Sequence, residues 1–372
     1  MRNRKDDTDL LWKKYENFIG IKKEAKKKRV NCMNTDLFFK LINLSGPSGS
    51  EGKVRELIKK EIKPYVSSMN VDKFGNLIAH KKGKKPTVML TAHMDEIGVM
   101  IKNIDELGWI YCSEIGGVDP VTLLGERVRI NTNKDPIVGI ITTKDIMESG
   151  YQEAIPKMSE LVIITGLEQK ELEKLGVEVG DYLHLMFEAT YLGSKRYVAG
   201  KAMDDRVGCF MVLELAKRLK NVKNELYYVF TVQEEVGLYG AKTSVYMIDP
   251  DWALVLDVTD TDDFAKKYTK CLDKGPTITI KDSEMIGNRC INGWFKALAK
   301  KHKIPLQYDI SDFGTTDALS ISVARGGIPT GVLGVPVRNI HTPSSVVCLN
   351  DMEHGMKLIE LLMKNPPKSC VL

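Results

Sequence analysis

Four short apolar segments of this chain each end at, or just before, a histidine or an acidic residue. They are Thr87–Ala92, which leads into His93; Leu226–Val232, which precedes Glu234 and Glu235; Ala253–Val258, which contains Asp257; and Thr330–Val335, which precedes His341. Short apolar runs of this kind are typical of strands that are buried on both faces. Because α/β enzymes place ligands at the carboxyl ends of such strands, the pattern predicts that these side chains share one edge of a sheet.

Segments with helical spacing alternate with these strands. The predicted helices are Val54–Tyr65, Val207–Leu219, Gly287–His302 and Asp351–Met363. Alternation of strands with helices predicts an α/β fold in which helices cover both faces of the sheet.

The middle of the chain has a different pattern. It contains the short apolar segments Val128–Asn131, Ile137–Ile141 and Leu161–Ile164, and a short predicted helix at Gln169–Leu175 that Gly176 ends. This pattern predicts a small β-rich domain at 96–185, inserted between two parts of a main domain. Those two parts are expected at 33–95 and 186–372.

The first 32 residues are polar and basic, and include the run Lys22–Arg29. They carry most of the excess in a net charge of +5. Helix-capping residues follow at Asn34–Asp36, so we interpret 1–32 as an extension and Met33 as a natural start. A solvated, disordered tail is favoured over one that binds nucleic acid or acidic lipid, and we expect neither partner.

The cysteines and the hydropathy of the sequence exclude several classes of protein. The seven cysteines include no CxxC pair, which argues against a zinc ribbon. The N-terminus has no apolar leader, and no segment approaches 18 apolar residues. The sequence therefore predicts a cytoplasmic protein.

Each histidine or acidic residue at a strand end is ambiguous when it is taken alone. His93 could be a core histidine, and Asp204 with Asp205 could cap a helix. Buried Glu234 and Glu235, however, are costly without a cation nearby. Imidazole and carboxylate together are the ligand types of zinc, cobalt and manganese, so the set predicts a metal site.

Five strings carry a resemblance to a known family. They are AHMDEIG at 92–98, KAMDDRVG at 201–208, VQEEVGLYGA at 232–241, LDVTD at 256–260 and RNIHTP at 338–343. In this order they closely resemble the deblocking or glutamyl-type aminopeptidases, which include the tetrahedral (TET) aminopeptidases and some proteins labelled endoglucanase. Looser matches are SGPSGSEG at 45–52, EIGGVDP at 114–120, LGVEVGD at 175–181 and TTDALS at 315–320. The resemblance covers about nine-tenths of the chain, from Met33 onward.

The resemblance implies a role for each matched position. His93 and Asp257 would bind one metal, Glu235 and His341 the other, and Asp204 would bridge the two. Glu234 would be the general base, and Asp95 would orient His93. The implied cofactor is a pair of divalent ions, with zinc favoured over cobalt or manganese. The chain departs from the family pattern at Asn339 and Cys348, neither of which would be a ligand.

The resemblance also implies a fold and an activity. We expect a phosphorylase/peptidase-like mixed sheet sandwiched by helices, and a metallo-aminopeptidase that removes N-terminal residues from short peptides. The inserted domain would form dimers, and six dimers would form a tetrahedral dodecamer. The alternatives are a carbohydrate hydrolase, which needs two carboxylates and usually no metal, a scaffold that has kept the fold, and a nucleic-acid binder. The sequence leaves the preferred substrate side chain open.

Overall fold

Strands and helices alternate along the chain in this computed structural model, which describes residues 33–150, 154–264 and 269–367. The predicted extension at 1–32 lies outside the described residues. The strands are β1 (Ser68–Val71), β2 (Leu77–Lys81), β3 (Lys84–His93), β4 (Gly98–Ile104), β5 (Ile110–Ile115), β6 (Arg127–Ile130), β7 (Ile137–Thr143), β8 (Leu161–Ile164), β9 (Tyr182–Leu185), β10 (Thr190–Tyr191), β11 (Tyr197–Gly200), β12 (Asn224–Thr231), β13 (Trp252–Asp260), β14 (Thr277–Lys281), β15 (Gln307–Ile310), β16 (Thr330–Arg338) and β17 (Ser345–Cys348). The α-helices are α1 (Thr35–Asn43), α2 (Gly52–Ile62), α3 (Lys144–Ser149), α4 (Gln169–Lys174), α5 (Met203–Arg218), α6 (Tyr239–Ile248), α7 (Arg289–His302), α8 (Asp317–Ser322) and α9 (Leu349–Lys364).

The larger sheet is mixed, in the order β1-β2-β12-β3-β13-β16-β17-β11-β10, with β14 and β15 branching from β16. Its centre, β12-β3-β13-β16, is parallel. Alternate sheet residues such as Met89, Val229 and Val255 pack against Val245 of α6 and Ile321 of α8. Helix α5 packs on β3 and β13. Burial by helices explains why these strands read as nearly continuous apolar runs, and the predicted α/β fold class is confirmed.

The predicted β-rich unit is a small closed barrel with the strand order β4-β5-β8-β7-β6-β9. Its own core includes Val99, Ile110, Val128 and Leu183. The barrel strands begin at Gly98, only a few residues after β3 ends. The short connection sets one rim of the barrel beside the sheet edge where His93 lies.

The end of helix α2 differs from the sequence prediction for a local reason. Helix α2 ends at Ile62, and a single 3₁₀ turn follows at Lys63–Tyr65. Pro64 has no backbone N–H to continue the α-helical bonding, which accounts for the change. None of the helices in the described residues has the length and apolar character needed to cross a membrane.

Candidate active site

The parallel strands bring the predicted site residues to one edge of the sheet. In the register of β12 and β3, Thr231 lies opposite His93, so the turn that follows β12 projects beside His93. One cavity of about 580 Å³ opens at this edge. All of the predicted metal ligands and the predicted base line it: His93, Asp204, Glu234, Glu235, Asp257 and His341.

Asp204 lies between the two histidines. Its Oδ1 is 2.8 Å from Nε2 of His93, and its Oδ2 is 3.1 Å from Nε2 of His341. Around His93, the nearest oxygens of Glu234 and Asp257 are each 4.0 Å from Nε2. On the other side, Glu235 Oε2 is 3.5 Å from His341 Nε2. The site therefore consists of two histidine–carboxylate groups joined by one aspartate.

The first residues of α5 do not form a regular helical turn. The Asp204–Asp205 peptide bond is cis, and both residues have non-helical backbone angles. Asp205 is fully buried and accepts hydrogen bonds from the backbone N–H groups of His93, at 3.2 Å, and Gly208, at 2.8 Å. Asp205 thereby ties α5 to the end of β3 and holds its neighbour Asp204 over the cavity.

Asp95 is buried behind the site and touches two of its parts. Its Oδ1 lies 3.4 Å from His93 Nδ1, the ring nitrogen that faces away from Asp204. Its two oxygens also accept hydrogen bonds from the backbone N–H groups of Glu234 and Glu235, each at 3.1 Å. Ser48 donates a further bond to it at 2.6 Å. Asp95 thus holds the Glu234–Glu235 turn and lies against the far side of the His93 ring, where a carboxylate is commonly found behind a metal-binding histidine.

The loops that carry Glu234, Glu235 and His341 have unusual backbone angles. Gln233 and Leu238 flank the glutamates with φ values of 55° and 57°, and His341 itself has φ of 58°. Residues other than glycine seldom adopt this left-handed region, and such positions concentrate at functional sites. The packed surroundings, not local preference, hold these side chains in place.

The charges of the site favour the binding of cations. Burial, and then the proximity of Asp204, raise the pKa of Glu235 to about 8, and the same two causes raise the pKa of Asp257 to about 8. Oε1 of Glu235 is buried without a hydrogen-bond partner among the described residues. His93, Asp204 and Glu235 form one group whose ligand atoms lie close enough to hold an ion, and His93, Glu234 and Asp257 form another. These residues therefore fit divalent cations, which would neutralise the buried carboxylates.

The barrel contributes the loop Gly116–Gly117, which lies directly against the site. A Cβ atom built on Gly117 would be 2.9 Å from Nδ1 of His341, and one on Gly116 would be 3.1 Å from Oε2 of Glu235. Only glycine leaves room for both side chains. Sequence reasoning did not assign a role to this loop, although the string EIGGVDP contains it.

We expect Gly117→Ala to lower metal affinity and activity by about 10- to 100-fold, the usual effect of disturbing a neighbour of a ligand. The new methyl group would push the His341 ring away from Asp204. Metal titration and steady-state kinetics check this. Gly193→Ala is the matched control, because a Cβ there meets nothing within 4 Å. Equal effects of the two substitutions would contradict the role given to Gly117.

Asp317 is a further acidic group at the site that sequence reasoning did not assign. It is buried at the start of α8 and accepts a hydrogen bond from Thr231 Oγ1 at 2.6 Å, while its Oδ1 has no partner in the described part of the chain. Burial raises its pKa to about 6. Its charge in turn helps raise the pKa of Glu234, after the larger effect of burial. The only sequence signal for it was the loose match TTDALS.

Comparison with known proteins agrees with this fold. Residues 75–358 match the family described as M42 glutamyl aminopeptidase. The lysyl aminopeptidase of Pyrococcus furiosus is 32% identical over 341 residues, which cover 88% of this chain and 96% of that protein.

Two solved structures are also similar. An aminopeptidase from the archaeon Desulfurococcus kamchatkensis is 36% identical with a TM-score of 0.84, over 88% of this chain and 94% of that one. The Pyrococcus horikoshii TET1 peptidase, described as able to assemble into a tetrahedron or a large octahedral shell, is 31% identical with a TM-score of 0.80. The match covers 89% of this chain and 99% of that one.

Fold, site and relatives together define an aminopeptidase, a hydrolase that acts on peptide bonds. More narrowly, the chain belongs to the M42 glutamyl aminopeptidase family.

Proposed function

We propose that this chain is a dinuclear metal-dependent aminopeptidase that removes N-terminal residues from short peptides. The observation that carries the proposal is the position of Asp204, whose two carboxylate oxygens each lie within hydrogen-bond distance of a different histidine. A carboxylate in that position can serve two cations at once. His93 with Asp257 would hold one cation, and His341 with Glu235 the other. Zinc is favoured, and cobalt and manganese suit the same ligands.

Glu234 is the proposed general base. It is buried, and its Oε2 lies 4.0 Å from Nε2 of His93, so it faces the same space as the proposed metal ligands. Burial raises its pKa well above the ordinary value, which suits a group that must take up a proton and then release it. The cations, when bound, would acidify a water molecule and stabilise negative charge on the scissile carbonyl. Glu234 would accept the proton of that water and pass it to the leaving amine.

The proposal also covers the position of cleavage, after the first residue of the substrate peptide, and the oligomeric state of the protein. The named relatives are aminopeptidases, and one of them is described as forming closed shells. We propose that this chain likewise forms homo-oligomers, by way of dimers made by its barrel and a tetrahedral dodecamer. Short peptides are the substrates that would enter such a shell. The cytoplasmic location stays a prediction from the sequence.

Metal removal and restoration test the proposal. We expect EDTA-treated protein to lose hydrolysis of leucyl-, lysyl- and glutamyl-p-nitroanilides, because chelation removes the ions that would acidify the attacking water. Added Zn²⁺, Co²⁺ or Mn²⁺ should restore cleavage, and the most effective ion identifies the preferred metal. N-acetylated versions of the same substrates are the control, and they should remain uncut because an aminopeptidase needs a free amine.

Two results would count against the proposal. Full activity after complete metal removal would exclude the metal-dependent mechanism. Cleavage of β-linked glucans without any peptide cleavage would favour the carbohydrate hydrolase, whose paired carboxylates act without a metal.

A further inference from the structure

The cavity continues beyond the proposed metal ligands, between β13 and the ends of β14 and β15. We call this part the distal pocket and define it by six of its lining residues: Thr259, Asp260, Thr279, Asp282, Asp309 and Phe313. A substrate whose first amine and carbonyl lie at the metal ligands has to place its first side chain nearby. The distal pocket is the part of the same cavity that offers room for that side chain.

Lys270 neutralises part of the distal pocket but has no capacity left for a substrate. It is 5% exposed, and its Nζ donates to Asp260 at 2.6 Å, Asp309 at 2.8 Å and Thr259 Oγ1 at 3.2 Å. Burial lowers the pKa of Lys270, but the two aspartates outweigh that effect and raise it, so the ammonium group stays charged. An ammonium has three protons to donate, and all three are already used. Lys270 therefore cannot bind the carboxylate of a glutamyl or aspartyl substrate without breaking these bonds.

The charges of the distal pocket do not balance. Among the described residues, it contains three carboxylates, those of Asp260, Asp282 and Asp309, and these are paired with one ammonium, that of Lys270. Asp282 is buried, and among the described residues its oxygens accept only neutral donors, the backbone N–H groups of Glu284 and Met285 and the Thr315 hydroxyl. The described part of the pocket thus carries an excess of negative charge.

Asp260 can offer that charge to a ligand. Its side chain is 58% exposed, and the contact with Lys270 uses only Oδ1. Within the described ranges, Oδ2 of Asp260 takes part in no hydrogen bond, so one oxygen is free to meet a cation. Asp260 is the last residue of β13, three residues after the proposed ligand Asp257, and it lines the same cavity.

The pocket also has an apolar wall. Phe313 is 87% exposed, and Val332 and Ile340 line the same cavity. Lysine and arginine combine a long aliphatic stem with a charged tip, and such side chains lie along apolar surface while the tip reaches a polar group. The combination of an aromatic wall and a free carboxylate oxygen matches both parts of these side chains.

We propose that the distal pocket selects peptides whose N-terminal residue is lysine or arginine, and that Asp260 is the specificity-determining carboxylate. The proposal rests on the aminopeptidase function proposed above. It runs against the acidic preference that the family's description as glutamyl would suggest, because a glutamyl side chain would meet an excess of like charge.

A panel of p-nitroanilides tests the preference on the metal-restored full-length enzyme. Lysyl and norleucyl substrates share a four-carbon stem and differ in the terminal ammonium, so their ratio isolates the charge. We expect kcat/KM for the lysyl and arginyl substrates to exceed that for norleucyl by about 10- to 100-fold, the usual effect of a hydrogen bond to a charged group. The glutamyl substrate should be the poorest.

The Asp260→Asn variant tests whether Asp260 determines the specificity. It should lower the lysyl-to-norleucyl ratio by about tenfold, chiefly through KM, since the lost interaction holds the side chain and not the reacting atoms. Glu284→Gln is the matched control: it removes one negative charge from an exposed position outside the cavity, and the ratio should stay unchanged.

The outcomes separate the two proposals. Metal-restored cleavage that prefers norleucyl or glutamyl substrates overturns the distal-pocket assignment and leaves the aminopeptidase intact. Failure to cleave any substrate with any metal overturns the aminopeptidase instead. The pocket is then judged by calorimetric titration of the metal-loaded protein with L-lysine, L-norleucine and L-glutamate. Tightest binding of lysine supports the pocket, and equal or tighter binding of the other two rejects it.

Discussion

Glu234→Gln is expected to lower kcat by about 10²- to 10⁴-fold while the protein keeps its metal, because an amide cannot take up the proton that the carboxylate accepts. The replacement preserves the shape of the side chain. It also preserves the hydrogen bond from the backbone N–H of residue 234 to Asp95, so the turn should stay in place. Steady-state kinetics measure the loss, and elemental analysis measures the metal.

His341→Ala is the comparison variant for Glu234→Gln. This change removes a proposed ligand whose Nε2 lies 3.1 Å from Asp204, so metal content should fall together with activity. The two variants separate the chemical role of Glu234 from ligation. Near-normal turnover by Glu234→Gln, or a loss of metal equal to that of His341→Ala, would remove Glu234 from the role of base.

The central strands and the candidate site at their ends could be predicted because burial of a strand produces a recognisable pattern in the local sequence. A strand covered on both faces reads as an apolar run, and a carboxylate directly after such a run signals a cation. The inserted β-rich unit could be predicted for the same reason, from short apolar segments that lack long helices between them, but its closure into a barrel could not. Strings in a fixed order then linked His93 to His341 across most of the chain.

Other parts of the structure have no such pattern in the sequence. Helix α6 is not among the predicted helices, and its sequence includes Gly240, a poor helix former. The structure shows the reason for that glycine: a Cβ there would lie 2.4 Å from both Asn76 Oδ1 and the backbone oxygen of Val232. The distal pocket is similar, since Asp309 reaches Lys270 only through the pairing of β14 with β15. Contacts that depend on tertiary pairing between distant segments have no pattern in a single sequence.

Arg206→Met is expected to lower the free energy of unfolding by about 3–5 kcal/mol, the cost of breaking a buried charged network. Arg206 is fully buried. Its guanidinium donates to the backbone oxygens of Leu41, Leu44 and Met94 at 2.7–3.0 Å, and lies 3.5 Å from Glu96. Methionine fills much of the same volume but donates no hydrogen bond. The carbonyl groups at the end of α1 and after β3 would lose these donors, and buried acceptors without donors are costly.

Arg218→Met provides the matched comparison, because the same substitution there removes an arginine that is paired with two glutamates near the surface. Arg218 contacts Glu353 at 2.7 Å and Glu360 at 3.0 Å, but all three side chains are about one-fifth exposed. Water can solvate the two glutamates after the substitution, so we expect a loss of only about 1 kcal/mol. Urea denaturation of both variants, with unchanged slopes, measures the difference. Equal losses would contradict the larger contribution to stability that we assign to the buried hydrogen bonds of Arg206.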